Sequence, residues 1–221
     1  MLSDLLKASR DVAVVIPALN EQETIAHVVD STRNFVKHVI VVDDGSVDTT
    51  SDVARAHEAD VVHHKINQGY DKSIESGFRR ALELGAQIIV TFDADGQHLA
   101  ENIPMMIEPI IADQADIVVG CRPYRARVSE HCFALIAKIK SGIDDPLCGL
   151  KAYRAEVFKS VGYFDRCSSI GTELMFTAHR RGYRIAQRNI NLKRRKDTPR
   201  FGRALTANYK IVKAIIKTLF L

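Results

Sequence analysis

Along the first half of the chain, short apolar runs rich in β-branched residues alternate with stretches whose apolar positions recur at helical spacing. The pattern predicts strands over 12–17, 38–43, 59–65, 87–93 and 116–120, with helices over 21–35, 47–58, 70–85 and 101–113 between them. In the first of these helices Ile25, Val28, Val29, Thr32 and Phe35 fall on one face. Asn20 with Glu23 forms a capping-box pattern, Ser46 reads as an N-cap, and Gly85 closes the third helix. Strands that are apolar on both faces and separated by helices imply an α/β layer fold with a parallel sheet. The second half is less regular. It predicts a helix over 127–142, a strand over 147–154 running into a helix at Ala155, a helix over 172–182 and a strand over 183–192. No internal repeat or linker divides residues 1–203, so they read as one domain, followed by an amphipathic C-terminal helix over 204–221.

Each predicted strand of the first half ends in polar residues: "PALNE", "DDGS", "NQG", "DADGQ" and "GCR". In open α/β sheets, ligands bind outside the carboxyl ends of the strands. In "VTFDADGQH" (90–98), Asp93 and Asp95 point the same way from an extended chain and repel each other. A hard divalent cation resolves that conflict, with phosphate oxygens in its other positions and Gln97 adding a neutral oxygen. The plainer alternative is an acidic turn capping the next helix. "DDGS" places Asp43, Asp44, Gly45 and Ser46 at a second strand end, where a carboxylate can accept from a nucleobase N–H or a ribose hydroxyl. "PALNE" adds Asn20 and Glu21, and "NQG" adds Asn67 and Gly69. Neither G-x-G-x-x-G nor G-x-x-x-x-G-K-[ST] occurs, which disfavours a dinucleotide dehydrogenase or a P-loop NTPase. What remains is a nucleotide site whose phosphates are handled by a metal.

The 221 residues are 46% hydrophobic, enough for one substantial core. The net charge of +4 is concentrated: "KRRKDTPRFGR" (193–203) holds six Lys/Arg against one acid, which suggests an anionic partner. In the C-terminal helix, Lys210, Lys213 and Lys217 share one face. That helix docks on the domain, joins a homo-oligomer, or lies on an anionic membrane surface with the basic segment, a contact through 193–221. No nucleic-acid partner is expected. The four cysteines lack C-x-x-C spacing, so zinc and disulfides are not expected. His63 and His64 read as structural, and His98 as a loop residue beside the metal. No run of about 18 apolar residues and no leader pattern occurs, so a cytoplasmic protein, or one peripheral on the inner face of the membrane, is expected.

The motifs "VVIPALNE", "VIVVDDGSVDTT", "NQGYDKSIESGF", "VTFDADGQH", "VVGCR" and "DDPLCGLKAYR" together resemble the family 2 glycosyltransferases, in particular the dolichyl/polyprenyl-phosphate sugar synthase branch, over residues 12–195. The resemblance implies a GT-A fold: a Rossmann-like, mostly parallel central sheet flanked by helices, with a small acceptor-side sheet. It implies inverting transfer of a sugar from a nucleotide-sugar, UDP- or GDP-linked, with Mg²⁺ or Mn²⁺, to a polyprenyl phosphate or a surface glycan. Carried over by position, Pro17, Leu19 and Glu21 lie along the nucleoside and Asp44 contacts the base, within a nucleotide site that includes Gly45, Ser46, Asn67 and Gly69. Asp93, Ala94 and Asp95 form the D-x-D element, with Asp95 and Gln97 on the metal and Asp93 shared between metal and ribose. Arg122 faces the diphosphate or the acceptor phosphate, and Arg194 or Arg195 clamps phosphate. Asp145 and Glu173 are acids near the acceptor. A hydroxyl acceptor needs one of them as base, whereas a phosphate acceptor is already an anion and needs none. The chain departs from the family in carrying Tyr70 where a lysine usually follows N-x-G, and "CR" for "SR". A sugar-nucleotidylyltransferase and a non-catalytic nucleotide-binding subunit are the competing readings.

Overall fold

The computed structural model describes residues 11–125, 127–166, 169–193, 208 and 211–215. The strands are β1 (Val12–Ala18), β2 (His38–Asp43), β3 (Asp60–His63), β4 (Ile88–Thr91), β5 (Ile117–Cys121), β6 (Lys151–Arg154) and β7 (Ile185–Asn189). The helices are α1 (Ile25–Arg33), α2 (Thr50–Ala56), α3 (Tyr70–Glu83), α4 (Ile103–Ile111), α5 (Val128–Ser141), α6 (Ala155–Val161) and α7 (Glu173–Arg180). Every element expected from periodicity over the described residues is present. Helices α1 and α2 start later than expected because the residues before them form loops that serve the site.

All seven strands belong to one sheet in the order β3-β2-β1-β4-β6-β5-β7. β1 pairs in parallel with β2 and β4, β2 with β3, and β5 with β7. β6 runs antiparallel to both β4 and β5, so the sheet is mixed. Periodicity could not show this, because β6 is buried on both faces and its side chains look the same in either direction. β6, β5 and β7, where a small acceptor-side sheet was expected, therefore continue the central sheet. Reversing the order at β1/β4 opens a crevice at the carboxyl ends of the strands, where α/β sheets bind ligands.

Alternation along the strands divides the core in two. Val14, Ile16, Val39, Val41, Val90 and Val118 pack against α1 and α4 on one face. Val15, Ile40, Val42, Ile89, Val119 and Tyr153 pack against α3, α5, α6 and α7 on the other. Ile211 and Ala214 are buried in that second cluster, and Asn208 Oδ1 accepts from Ser129 Oγ at 2.6 Å, so the described part of the C-terminal helix rests on the domain. Among the described residues no helix is long and apolar enough to cross a membrane.

Helix α3 lies close to β1 because Gly77 faces it. A Cβ there would sit 2.2 Å from Val15 Cγ1. Gly77→Ala is expected to lower unfolding stability by about 2 kcal/mol despite the better helix propensity of alanine, since the core must be overpacked. Urea denaturation checks this; an unchanged midpoint would show that α3 slides freely on the sheet.

Candidate active site

The site is assembled from loops that follow β1, β2, β3, β4 and β5. The loops after β1 and β2 are tied together. Asn20 N donates to Ser46 Oγ (2.9 Å), Val47 N donates to Asn20 Oδ1 (2.9 Å) and Glu21 N donates to Thr50 Oγ1 (2.8 Å). Asn20 and Ser46 are therefore not helix caps. Thr24 and Thr49 precede α1 and α2, and neither makes a side-chain cap bond. The capping patterns were real polar signals, but tertiary pairing between the loops took their hydrogen bonds.

Asp44 is the hub of the next loop. It is buried and accepts from Gln68 N (2.8 Å) and Gly69 N (2.7 Å), while His64 Nδ1 lies 2.7 Å from Oδ1 and His64 Nε2 lies 3.0 Å from Ser76 Oγ. His64 thus joins β3, Asp44 and α3. Gly45 is needed because its φ is +79° and a Cβ would lie 2.8 Å from Asn67 N. Asp43 accepts from Ser46 N at 2.9 Å and from Ser51 Oγ, with His63 Nδ1 at 3.2 Å. Burial raises the Asp43 pKa, but the bonds from Ser46, Ser51 and His63 outweigh it, and the carboxyl is held below its ordinary range.

β4 ends at Thr91, two residues short of the expected strand end, and leaves Asp93, Ala94 and Asp95 on the rim of a cavity of about 280 Å³. Pro17 and Glu21 from the β1 end, Tyr70 from α3, Leu147, Cys148, Gly149 and Lys151 from the β6 approach, and Ile170 complete its wall. Leu19 is on the exposed outer side of the β1 loop. A larger depression of about 610 Å³, beside Asp11, Gly85 and Arg154, lies at the opposite end of the sheet, away from every strand-end motif.

The Asp93 carboxylate is placed by two neighbours. His98 Nε2 lies 3.1 Å from Oδ2, and Gly149 gives it room: a Cβ there would be 2.0 Å from Oδ2. Burial pushes the Asp93 pKa up. The His98 bond and the charges of His98, Arg122 and Lys151 reverse this, so the carboxylate is ionised and held below its ordinary range. Asp95 Oδ1 accepts from Gln97 N at 3.0 Å, which folds the D-x-D turn and keeps Gln97 beside it. Two carboxylates and an amide form a hard oxygen donor set that fits Mg²⁺ or Mn²⁺ with phosphate oxygens completing the sphere, and not zinc. Among the described residues no group of three or more His, Cys, Asp or Glu could hold a metal by itself.

Beyond β5, Arg122 grips Asp145 in a two-pronged pair, Nε to Oδ2 at 2.7 Å and Nη2 to Oδ1 at 2.8 Å; Arg122 N also donates to Oδ2 at 3.1 Å. Glu130 lies 3.3 Å from the same guanidinium. Burial works against both charges, but the pairing wins: the guanidinium is raised and the carboxyl lowered relative to their ordinary values. Glu173, at the start of α7, is 3% exposed and accepts from Arg166 N at 2.7 Å. Arg194 and Arg195 lie outside the described residues.

Lys151 was not singled out from sequence. It is 5% exposed, lines the cavity and donates to Gly171 O at 3.3 Å. Burial lowers its pKa against the opposing pull of Cys148, Asp145 and Asp93. The available signal was a lone lysine inside the apolar run "LCGLKAY". Behind it, burial, then Asp165, push Asp71 up to about 7 against the Gly171 N–H and Lys151, with Glu173 adding to the rise. Such a carboxyl stabilises the fold below its unfolded value of 3.8, and that contribution is lost as pH rises towards 7. Asp71→Asn is therefore expected to add about 2 kcal/mol at pH 8 and little at pH 4. Thermal unfolding at the two pH values checks this; an equal shift at both would rule out titration of Asp71.

Strand-end carboxylates beside a crevice at the carboxyl edge of a mixed sheet flanked by helices place the chain among the Rossmann-like α/β proteins. Residues 13–164 match the family described as glycosyl transferase family 2, and the chain belongs to it: it is a glycosyltransferase. It is 31% identical over 182 residues to the UDP-N-acetylglucosamine–dolichyl-phosphate N-acetylglucosaminyltransferase of Methanococcus voltae, covering 69% of this chain and 72% of that protein. It is 30% identical over 199 residues to the undecaprenyl-phosphate mannosyltransferase of Micrococcus luteus, covering 80% and 81%. The crystal structure of glucosyl-3-phosphoglycerate synthase from Mycobacterium tuberculosis with Mn²⁺ and uridine-diphosphate-glucose superposes with a TM-score of 0.80 at 22% identity, covering 100% of this chain and 84% of that one. The fold is the GT-A fold.

Proposed function

We propose that this glycosyltransferase moves a sugar, with inversion, from a UDP- or GDP-linked donor to a polyprenyl phosphate, and that the acceptor is a phosphate and not a hydroxyl. The observation that carries the second half is the state of the two acceptor-side acids. Asp145 is 1% exposed with both oxygens on Arg122, and Glu173 is buried and accepts from Arg166 N. Neither is placed to take a proton from a hydroxyl, and a phosphate monoester needs no base. The names of the two relatives, both transferases to polyprenyl-type phosphates, agree with this reading.

In the proposed reaction Pro17 and Glu21 border the nucleoside, and Asp44 holds the 67–69 loop at its edge. Asp95, with Asp93 and Gln97, would hold Mg²⁺ or Mn²⁺, which offsets the charge that develops on the leaving diphosphate. His98 and Gly149 keep Asp93 aimed at the cavity. Arg122, locked by Asp145, presents a guanidinium of fixed direction to the incoming phosphate. Lys151 adds positive charge at the cavity floor. Leu147, Cys148 and Ile170 exclude water from the reacting carbon; burial pushes the Cys148 thiol up to about 12, so it serves as an inert wall.

Thermal stabilisation by a panel of nucleoside diphosphates and nucleotide-sugars, with and without Mn²⁺, tests the donor half. One base is expected to raise the melting temperature by several degrees in the presence of metal, and Asp95→Ala is expected to abolish the rise. No rise with any ligand would overturn the D-x-D assignment. Radiolabelled transfer to polyprenyl phosphate, against polyprenol, tests the acceptor half; faster transfer to polyprenol would overturn it.

A further inference from the structure

Among the described residues four that are not glycine have a positive φ: Asn20, Glu58, Asp113 and Ile170. Asn and Asp tolerate the left-handed region, and Glu58 follows the last turn of α2, where that conformation is common. Ile170, at φ +58°, is different. Of the four it alone is branched at Cβ, the side-chain shape least suited to this backbone. It is also the one of the four that lines the strand-end cavity.

Its neighbours hold it there. Buried Asp165 accepts from Ser169 N through both oxygens at 3.0 Å, from Ser169 Oγ, and from Gly171 N at 3.1 Å. Thr172 Oγ1 donates to Ser169 O at 2.8 Å, and Lys151 Nζ donates to Gly171 O at 3.3 Å. Gly171 is left-handed as well, at φ +67°, and a Cβ there would lie 3.2 Å from Phe164 Cε1. The bonds on both sides of Ile170 therefore fix a conformation that its own side chain disfavours. Backbone strain of this kind persists where the surroundings over-determine it, and it points to a use for the side chain it presents.

Strand order says what that side chain faces. β1, β4 and β6 are consecutive neighbours in the sheet. Along the cavity, Pro17 and Glu21 belong to the β1 end, Asp93 and Asp95 follow β4, and Lys151, which holds the Gly171 carbonyl, begins β6. A nucleotide-sugar with its nucleoside at β1 and its diphosphate at the D-x-D pair puts its sugar over the start of β6, beside Ile170. We propose that Ile170 is a specificity-determining residue, whose clamped and branched side chain limits the bulk of the sugar that the donor site admits. A side chain branched at Cβ has few rotamers and cannot turn aside for a larger group. The proposal rests on the donor-site reading and adds the residue that sorts one sugar from another.

Calorimetric titration of the full chain with Mn²⁺ is the test, using UDP and GDP and the glucose- and N-acetylglucosamine-linked forms of each. Ile170→Ala and Ile170→Gly are expected to move the affinity ratio about ten-fold or more towards the N-acetylated sugar, while the bare diphosphate changes by less. Ile170→Leu keeps the bulk and should keep the parent's ratio. Glycine also suits the left-handed backbone, so Ile170→Gly should melt no lower than Ile170→Ala, which separates the change in ratio from partial unfolding. Asp165→Asn keeps the size of its side chain but weakens the clamp, and should move the ratio in the same direction with Ile170 still in place. An unmoved ratio in both Ile170→Ala and Ile170→Gly overturns the proposal. So does an equal loss of affinity for sugar-linked and bare diphosphates, which would make Ile170 a part of the general wall. A parent that binds no nucleotide at all would overturn the donor site itself, and this proposal with it; a parent that binds nucleotide with an unmoved ratio leaves the donor site standing and removes the proposal alone.

Discussion

Gly149→Ala should abolish metal-dependent donor binding while leaving most of the fold's stability. Its Cβ would fall 2.0 Å from Asp93 Oδ2 and 2.6 Å from Asp93 Cγ, so the carboxylate must swing away. Asp93 lies at the mouth of the cavity, on a turn beyond β4 and not in the sheet, so it can swing at modest cost to the core. The swing takes the first acid of the D-x-D pair from His98 and from the place where a cation is to be held. Turnover is expected to fall by about 10²–10³, the range for losing one group that stabilises developing charge. The melting temperature without ligand should fall by only a few degrees. Donor titration by calorimetry with and without Mn²⁺ separates the effects; full metal-dependent affinity in the variant would show that the orientation of Asp93 is irrelevant.

Asp145→Ala is expected to be costly in a different way. It leaves the Arg122 guanidinium, only one-fifth exposed, without its two-pronged partner. Breaking a buried pair from one side typically costs about 3–5 kcal/mol, mostly through the stranded charge. The loss should be read in stability first and in the acceptor KM second, with donor binding little changed. Arg122→Met with Asp145→Leu, which removes both charges, should recover much of the stability and none of the transfer. The pH dependence follows from the lowered Asp145 pKa: its contribution is present above the ordinary carboxylate range and fades as pH falls through the depressed value, so the parent and Asp145→Ala should converge in acid. If Asp145→Ala keeps the parent's stability but loses transfer only to hydroxyl acceptors, Asp145 is a base and not a positioning residue.

Much of the molecule was legible in its sequence because two periodicities dominate it. Each strand of the first half is apolar on both sides and each helix on one, and strand ends carry the polar residues. This placed Asp93, Asp95, Asp44 and Arg122 at the carboxyl edge of a sheet before any coordinates. The same signals misled where a polar residue has two potential partners. Asn20 and Ser46 satisfy every local rule for a helix cap, yet they bond to one another's loops. His63 and His64 look partnerless in sequence, but strand pairing brings β3 beside β2, which sets His63 next to Asp43 and His64 next to Asp44.

The chain by itself determined the order and type of its elements, the strand-end acids and the membership of its family, since these depend on residue identity and short-range spacing. Tertiary structure alone decided the direction of β6, the pairing of Arg122 with Asp145 across 23 residues, the contact of Gly149 with Asp93, and the entry of Lys151 into the cavity. Each of these joins positions far apart in sequence, and each is set by how the sheet is ordered and which face its side chains share. No local periodicity carries that information, because a residue's preference for burial or charge does not state which distant partner will satisfy it.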